Sequence, residues 1–267
     1  MKKIILITGA SSGFGKAVAE RLVSRGYTVY GTSRREGVQV EGCRMLQMEV
    51  RDKESVKRGV DEIVAREGRV DVVVCNAGMG IGGSLELATQ EEIKLQMETN
   101  FMGCVNVCQS VLPHMRRQRS GRIVNLSSIG GVMGLPYQGF YSASKFAIEG
   151  FSEALSAEVK GYGITVSIVE PGDFKTGFTA SRHNSQLTAD DEDYGESFSR
   201  SLKIIEKEEN EGLAPEVLAK TIEKIVNARR PKLRYPVANL EQRLSILLHT
   251  LLPGNMFVDV LRSYYKV

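Results

Sequence analysis

The opening of the chain constrains its fold more than any other stretch. Ile4-Ile5-Leu6-Ile7 is a continuous apolar run, and Thr8-Gly9-Ala10-Ser11-Ser12-Gly13-Phe14-Gly15 follows it. Apolar positions then recur at Ala17, Val18, Leu22 and Val23 with helical spacing. A short apolar run ending in glycines reads as a strand buried on both faces. Strand, glycine-rich turn and helix together make a phosphate site. The glycines let the backbone approach a pyrophosphate, and the helix N-terminus supplies free N–H groups and a positive dipole. The spacing is G-x-x-x-G-x-G, one residue off the G-x-G-x-x-G form.

The pattern then repeats. Thr28–Ser33 reads as a second strand, Met45–Val50 as a third with Glu49-Val50 at its end, Ser55–Glu67 as an amphipathic helix and Val70–Cys75 as a strand running into Asn76-Ala77-Gly78. Non-alternating strands separated by helices predict an α/β doubly wound domain, a parallel sheet with helices on both faces. A carboxylate at the end of the second strand would bind the ribose 2′-hydroxyl of NAD. Thr32-Ser33-Arg34-Arg35 stands there instead, so two guanidinium groups can hold a 2′-phosphate, which points to NADP(H) over NAD(H). Glu36 beside them weakens that reading. The glycine-rich run Met79–Gly83 is expected to form a flexible loop over the cofactor. A long helix over Thr89–Met115 would carry Asn100, placed to hold a water.

Tyr141 and Lys145 stand at i and i+4, one turn apart on a helix face. A free phenol is a poor acid at neutral pH, and a fixed ammonium beside it is expected to lower its pKa. Ser128 ends the apolar run Arg122–Leu126 and can donate to a carbonyl oxygen while the tyrosine delivers its proton. The apolar stretch Val132–Gly139 can line one wall of a substrate site. Helix Tyr141–Lys160, strand Thr165–Glu170 and the turn Pro171–Thr176 follow.

The polar stretch 177–212 reads as a mobile lid, because the α/β pattern resumes after it. That resumption consists of a helix from Pro215 to about Ala228 and a last strand over Leu233–Val237. The apolar segment from Glu241 to Leu261 reads first as a core or lid helix, then as a subunit contact, then as a membrane-surface element.

The 267 residues, 42% of them hydrophobic, suffice for one large core, so a single domain over 1–267 is expected. The net charge, 35 − 32 = +3, is too balanced for nucleic acid or an anionic membrane to be the main partner. Cys43, Cys75, Cys104 and Cys108 show no metal-ligand spacing, and buried thiols in a reducing compartment are expected. The apolar run after Lys2-Lys3 is too short for a signal peptide, and no run approaches a membrane span. A cytoplasmic location is the expectation.

With these residues in view, the chain resembles the short-chain dehydrogenase/reductase family over about Lys3–Thr176. The motifs fall in the family's order: Thr8–Gly15, Asn76-Ala77-Gly78, Asn100, Ser128, Tyr141 with Lys145, and Pro171-Gly172 with Thr176. The resemblance implies a Rossmann-like domain with a seven-stranded parallel sheet, in a homodimer or homotetramer. It implies Tyr141 as general acid/base, Lys145 as the group that lowers its pKa and binds the nicotinamide ribose, and Ser128 as the holder of the substrate oxygen. Asn100 would position a relay water. Gly9, Ser12, Gly13, Phe14 and Gly15 would form the diphosphate turn, and Ser33 and Arg34, with Arg35 beside them, would read the 2′-phosphate. Val50 and Asn76-Ala77-Gly78 would lie along the adenosine. Glu49 replaces the family's usual aspartate there. Thr176, after Pro171-Gly172, looks like the carboxamide contact. The chain is most similar to the branch with steroid and retinol dehydrogenases.

The expected function is therefore an NADP-dependent oxidoreductase interconverting a secondary alcohol and a ketone on a lipophilic, steroid- or retinoid-like substrate. The alternatives are a dinucleotide sensor or scaffold without turnover, and an NAD-linked alcohol dehydrogenase.

Overall fold

The computed structural model describes residues 2–267. β1 (Ile4–Ile7), α1 (Gly13–Ser24) and β2 (Thr28–Ser33) come first, then β3 (Arg44–Gln47), α2 (Lys53–Glu67) and β4 (Val72–Cys75). Next are a two-residue strand β5 (Ile81–Gly82), α3 (Gln90–Met97), a π-helical turn (Glu98–Met102) and α4 (Gly103–Gln118). β6 (Gly121–Leu126), α5 (Gly139–Val159) and β7 (Ile164–Pro171) follow. The segment after β7 holds α6 (Phe178–Ser181), β8 (His183–Asn184), α7 (Gln186–Ala189) and α8 (Gly195–Glu211). α9 (Pro215–Asn227), β9 (Arg234–Val237), α10 (Leu240–Leu251) and α11 (Gly254–Tyr265) complete the chain.

Seven strands pair in the order β3-β2-β1-β4-β6-β7-β9, all parallel. The unbroken apolar strands are explained by two cores. Leu6, Val73 and Cys75 face α2, α4 and α5, while Ile5, Ile7, Val72 and Val74 face α1 and α9. Successive strand residues point to opposite faces, so a strand covered on both sides must be apolar throughout. β1 pairs with β2 on one side and β4 on the other. The winding therefore reverses between β1 and β4, and their C-terminal ends open the crevice where such folds bind ligands.

Several boundaries differ from the sequence reading. β3 ends at Gln47: the Met48 N–H makes the last bond to β2, at the Ser33 carbonyl, and the Glu49 N–H turns to Ser55 Oγ instead. Glu49 and Val50 therefore lie beyond the strand. Val50 is buried against Gly103, where an added Cβ would come within 2.8 Å of it. The expected long helix is interrupted by the π-turn that contains Asn100. Residues 177–212 are mostly helical, and Phe198 and Ile205 anchor α8. α10 and α11 line the cleft with Leu248 and Phe257 and leave Leu240, Leu247, Leu251 and Met256 exposed. Among the described residues no helix is long and apolar enough to cross a membrane.

Candidate active site

A cleft of about 1040 Å³ runs from the C-terminal ends of β1 and β2 to the C-terminal helices. Its first part is the glycine turn. Gly9 and Gly13 have φ of +67° and +50°, the left-handed region that glycine adopts without strain. A Cβ on Gly15 would stand 2.2 Å from the Gly9 carbonyl oxygen. The first turn of α1 has no side-chain cap on Ser12 and no acidic residue, so its N–H groups face the cleft free for an anion. Asn76 braces the turn: its Nδ2 donates to the carbonyls of Thr8 at 2.8 Å and Gly9 at 3.1 Å. The Thr8 hydroxyl in turn accepts from the Asn76 and Ala77 N–H groups, each at 3.0 Å. Thr8 is a residue the sequence reading placed in the turn without a role.

Ser33 is buried at the end of β2, where its hydroxyl accepts from the Arg35 N–H at 3.1 Å. Arg34 and Arg35 are exposed and line the cleft. Among the described residues neither has a carboxylate within ion-pair distance, Glu36 included. Glu49 also lines the cleft and is held by Arg51 at 2.9 Å. Burial opposes its ionisation, but the Arg51 hydrogen bonds outweigh this and keep its carboxyl below the usual range. Gly78, Ala77, Pro171, Gly172 and Thr176 border the same cleft. The Thr176 side chain lies 3.7 Å from where a Cβ on Gly13 would be. A dinucleotide fits this arrangement: a glycine cradle, free helix N–H groups and two unpaired guanidinium groups.

Ser128, Tyr141 and Lys145 meet farther along the cleft. Ser128 caps a short 3₁₀ turn (Ile129–Gly131); its hydroxyl accepts from the Gly130 N–H at 3.1 Å and reaches the Pro171 carbonyl at 3.5 Å. Tyr141 and Lys145 share a face of α5, with Nζ 5.7 Å from the phenol ring centroid. The ammonium donates to the Leu126 carbonyl at 2.9 Å. The electrostatics correct the sequence expectation. Burial pushes the Tyr141 phenol up to about 12, with Ser128 pulling back against it. Burial also pushes Lys145 down to about 8, so the lysine is itself a weakened cation and does not overcome the desolvation of the phenol.

Asn100 is buried, and its side chain is already engaged. Oδ1 accepts from the Met79 N–H at 2.8 Å, and Nδ2 donates to the Met79 carbonyl at 3.0 Å and to Ser144 Oγ at 3.1 Å. With Gln96, which holds Ile81 N–H and the Met79 carbonyl, it clamps the loop that the glycines suggested was flexible. Behind Lys145, the thiols of Cys75, Cys104 and Cys108 lie within 4.8 Å of one another, all buried. Helical spacing pairs Cys104 with Cys108; Cys75 arrives from β4, which spacing cannot reveal.

The far wall carries groups that sequence reasoning missed. Asp173, Glu208, Glu209, Glu241 and Gln242 line the cleft. Glu209 pairs with the buried Arg182 and accepts from Thr179 Oγ1 at 2.6 Å. They come from separate segments, and no motif joins them.

The short chain dehydrogenase family model matches residues 3–187. A 3-ketodihydrosphingosine reductase of Bacteroides thetaiotaomicron is 55% identical over 265 residues, covering 99% of this chain and 98% of that protein. The 17-beta-hydroxysteroid dehydrogenase type 1 of Mus musculus is 35% identical over 251 residues, covering 87% of this chain and 72% of that protein. The crystal structure of a short-chain dehydrogenase from Streptomyces avermitilis superposes with a TM-score of 0.83 at 32% identity, covering 100% of this chain and 97% of that one.

Proposed function

Because the chain belongs to the short-chain dehydrogenase family, oxidoreductases that act on alcohol and carbonyl groups with a nicotinamide cofactor, we propose that it is an NADP-dependent reductase of a lipophilic ketone, with a long-chain keto base as the substrate. The observation that carries this reading is the single cleft that joins the glycine turn and unpaired Arg34 and Arg35 to Ser128, Tyr141 and Lys145 and ends among apolar side chains. The full-length similarity to the Bacteroides reductase favours an open-chain lipid over a steroid.

Gly9, Gly13 and Gly15, with Ser12 and Phe14, hold the diphosphate against the α1 N-terminus. Ser33, Arg34 and Arg35 hold the 2′-phosphate, Glu49, Val50, Asn76, Ala77 and Gly78 border the adenosine, and Pro171, Gly172 and Thr176 border the carboxamide. NADPH bound there supplies the hydride for the carbonyl carbon. Ser128 donates a hydrogen bond to the carbonyl oxygen and Tyr141 delivers its proton as negative charge develops. A phenol that titrates near about 12 keeps its proton at neutral pH, so Tyr141 is in the form that reduction needs. Lys145, fixed on the Leu126 carbonyl, orients the ribose and supplies positive charge behind the phenol. Asn100 positions the relay water through its backbone in the π-turn, since its side chain is already bonded. Residues 177–212 act as the lid over the substrate, contributing Phe178 and Ile205 to the cleft.

The test is NADPH and NADH oxidation with long-chain acyclic, steroid and retinoid-like ketones. Turnover of the long-chain ketone with NADPH supports the reading. Tight NADPH binding without turnover of any ketone replaces it with a sensor, and equal rates with NADH remove the 2′-phosphate assignment.

A further inference from the structure

Reduction of a ketone makes no use of the three buried thiols behind Lys145. We propose that Cys75, Cys104 and Cys108 form a three-thiolate site for a soft divalent cation of the zinc type, which ties β4 to α4 beneath the reacting centre.

Cys75 is the last residue of β4, and Cys104 and Cys108 stand one turn apart on α4. All are buried and none is in a disulfide. Their Sγ atoms lie within 4.8 Å of one another, with Cys75 and Cys108 4.0 Å apart. A zinc–sulfur bond of about 2.3 Å puts the sulfurs of a trigonal set about 4.0 Å apart. The thiols therefore already stand close to ligand spacing. Among the described residues no other three histidine, cysteine or carboxylate side chains meet in this way.

A fourth donor faces the cluster. Asn125 is fully buried on β6, and its Nδ2 donates to Ser152 Oγ at 2.8 Å. That bond turns Oδ1 toward the thiols, where its one partner among the described residues is Cys108 Sγ at 3.8 Å. A buried amide oxygen normally accepts from an N–H or O–H group, and a thiol is a weak substitute. Its lone pairs are free to complete a tetrahedral set of three sulfurs and one oxygen around an ion with no geometric preference of its own.

The charges also balance. Binding releases the three thiol protons, and three thiolates around a divalent cation carry one negative charge in excess. The buried Lys145 ammonium lies within electrostatic reach of Cys104 and supplies the matching positive charge. A buried site requires such neutrality, which a monovalent ion would not give. Thiolate donors select a soft cation over magnesium or calcium. Because every donor is buried, the ion enters as the chain folds.

The test refolds the full-length, tag-free chain from denaturant under a thiol reductant with one equivalent of zinc, then desalts it into a weak chelator. Elemental analysis is expected to find about one zinc per chain, and X-ray absorption at the zinc edge to find three sulfur neighbours at about 2.3 Å. Cys75→Ser, Cys104→Ser and Cys108→Ser should each weaken zinc binding by more than the about 10–100-fold lost with an outer-shell partner. Cys43→Ser, outside the cluster, should retain the ion. The edge spectrum is taken on the wild type, so it decides the matter even where a serine variant fails to fold. Zinc lost on desalting, or zinc with only nitrogen and oxygen neighbours, overturns the proposal. Undiminished retention in any of the three serine variants overturns it as well. None of these outcomes bears on ketone reduction, which is read separately from NADPH oxidation.

Discussion

Asn76→Ala removes the brace that joins the ends of β1 and β4. The side chain makes two hydrogen bonds, to the Thr8 carbonyl at 2.8 Å and the Gly9 carbonyl at 3.1 Å. The backbone bonds from Asn76 and Ala77 to Thr8 Oγ1 survive the change, so only those two are lost. At about 1 kcal/mol net for each, the variant loses about 2 kcal/mol. For a chain of this size that lowers Tm by about 4–8 °C. The functional effect is larger than the stability effect suggests. Gly15 packs directly on the Gly9 carbonyl, so releasing the Gly9 peptide moves the diphosphate cradle itself. NADPH Kd should rise about tenfold, since misplacing one charge-assisted contact costs about that much. Calorimetry and fluorescence titration measure the two quantities. A Tm and a Kd that both match the wild type would refute the brace and with it the geometry assigned to the turn.

The electrostatics give further expectations. In the reduction direction kcat/KM should hold through neutral pH and fall above about 8, where the Lys145 ammonium loses its proton; Lys145→Arg should move the fall to higher pH. Asp173 is a raised carboxyl, so its sign is the reverse of the usual one: the folded state prefers it neutral, and stability is lost as pH rises through about 6. Asp173→Asn should therefore raise Tm at pH 8, by the equivalent of about 2–3 kcal/mol at most, and change it little at pH 4; a lower Tm at pH 8 contradicts the assignment. Arg34→Ala should raise the Kd for NADPH about tenfold and leave that for NADH nearly unchanged, and equal losses for both cofactors would remove Arg34 from the 2′-phosphate.

The parts of this molecule that were legible in its sequence are those set by local spacing. Ile4–Ile7 followed by the glycines identifies a buried strand and a turn because three glycines are needed where the backbone folds tightly. Tyr141 and Lys145 lie on one face because the helix repeat puts them there. What was hidden depends on the third dimension. Burial raises the Tyr141 phenol although a lysine stands one turn away, and the extent of burial is not written in an i, i+4 pair. Asn100 looked free to hold a water with its side chain, but Met79 and Ser144 occupy it. The acidic wall joins Asp173, just after β7, to Glu208 and Glu209 of α8, which meet only after α8 folds over the cleft. Residues 177–212 read as irregular because α6 and α7 are single turns and α8, though long, is mostly polar, with Phe198 and Ile205 as sparse anchors.

The central claim is that Tyr141 delivers the proton to the substrate oxygen. Its most direct test is NADPH oxidation with the long-chain ketone by wild type and Tyr141→Phe, alongside NADPH binding to both. The expected result is turnover by the wild type, a loss of about a thousandfold or more in the variant, and nearly equal NADPH affinity, because only the proton donor is gone. Turnover that survives in the phenylalanine variant would contradict the account.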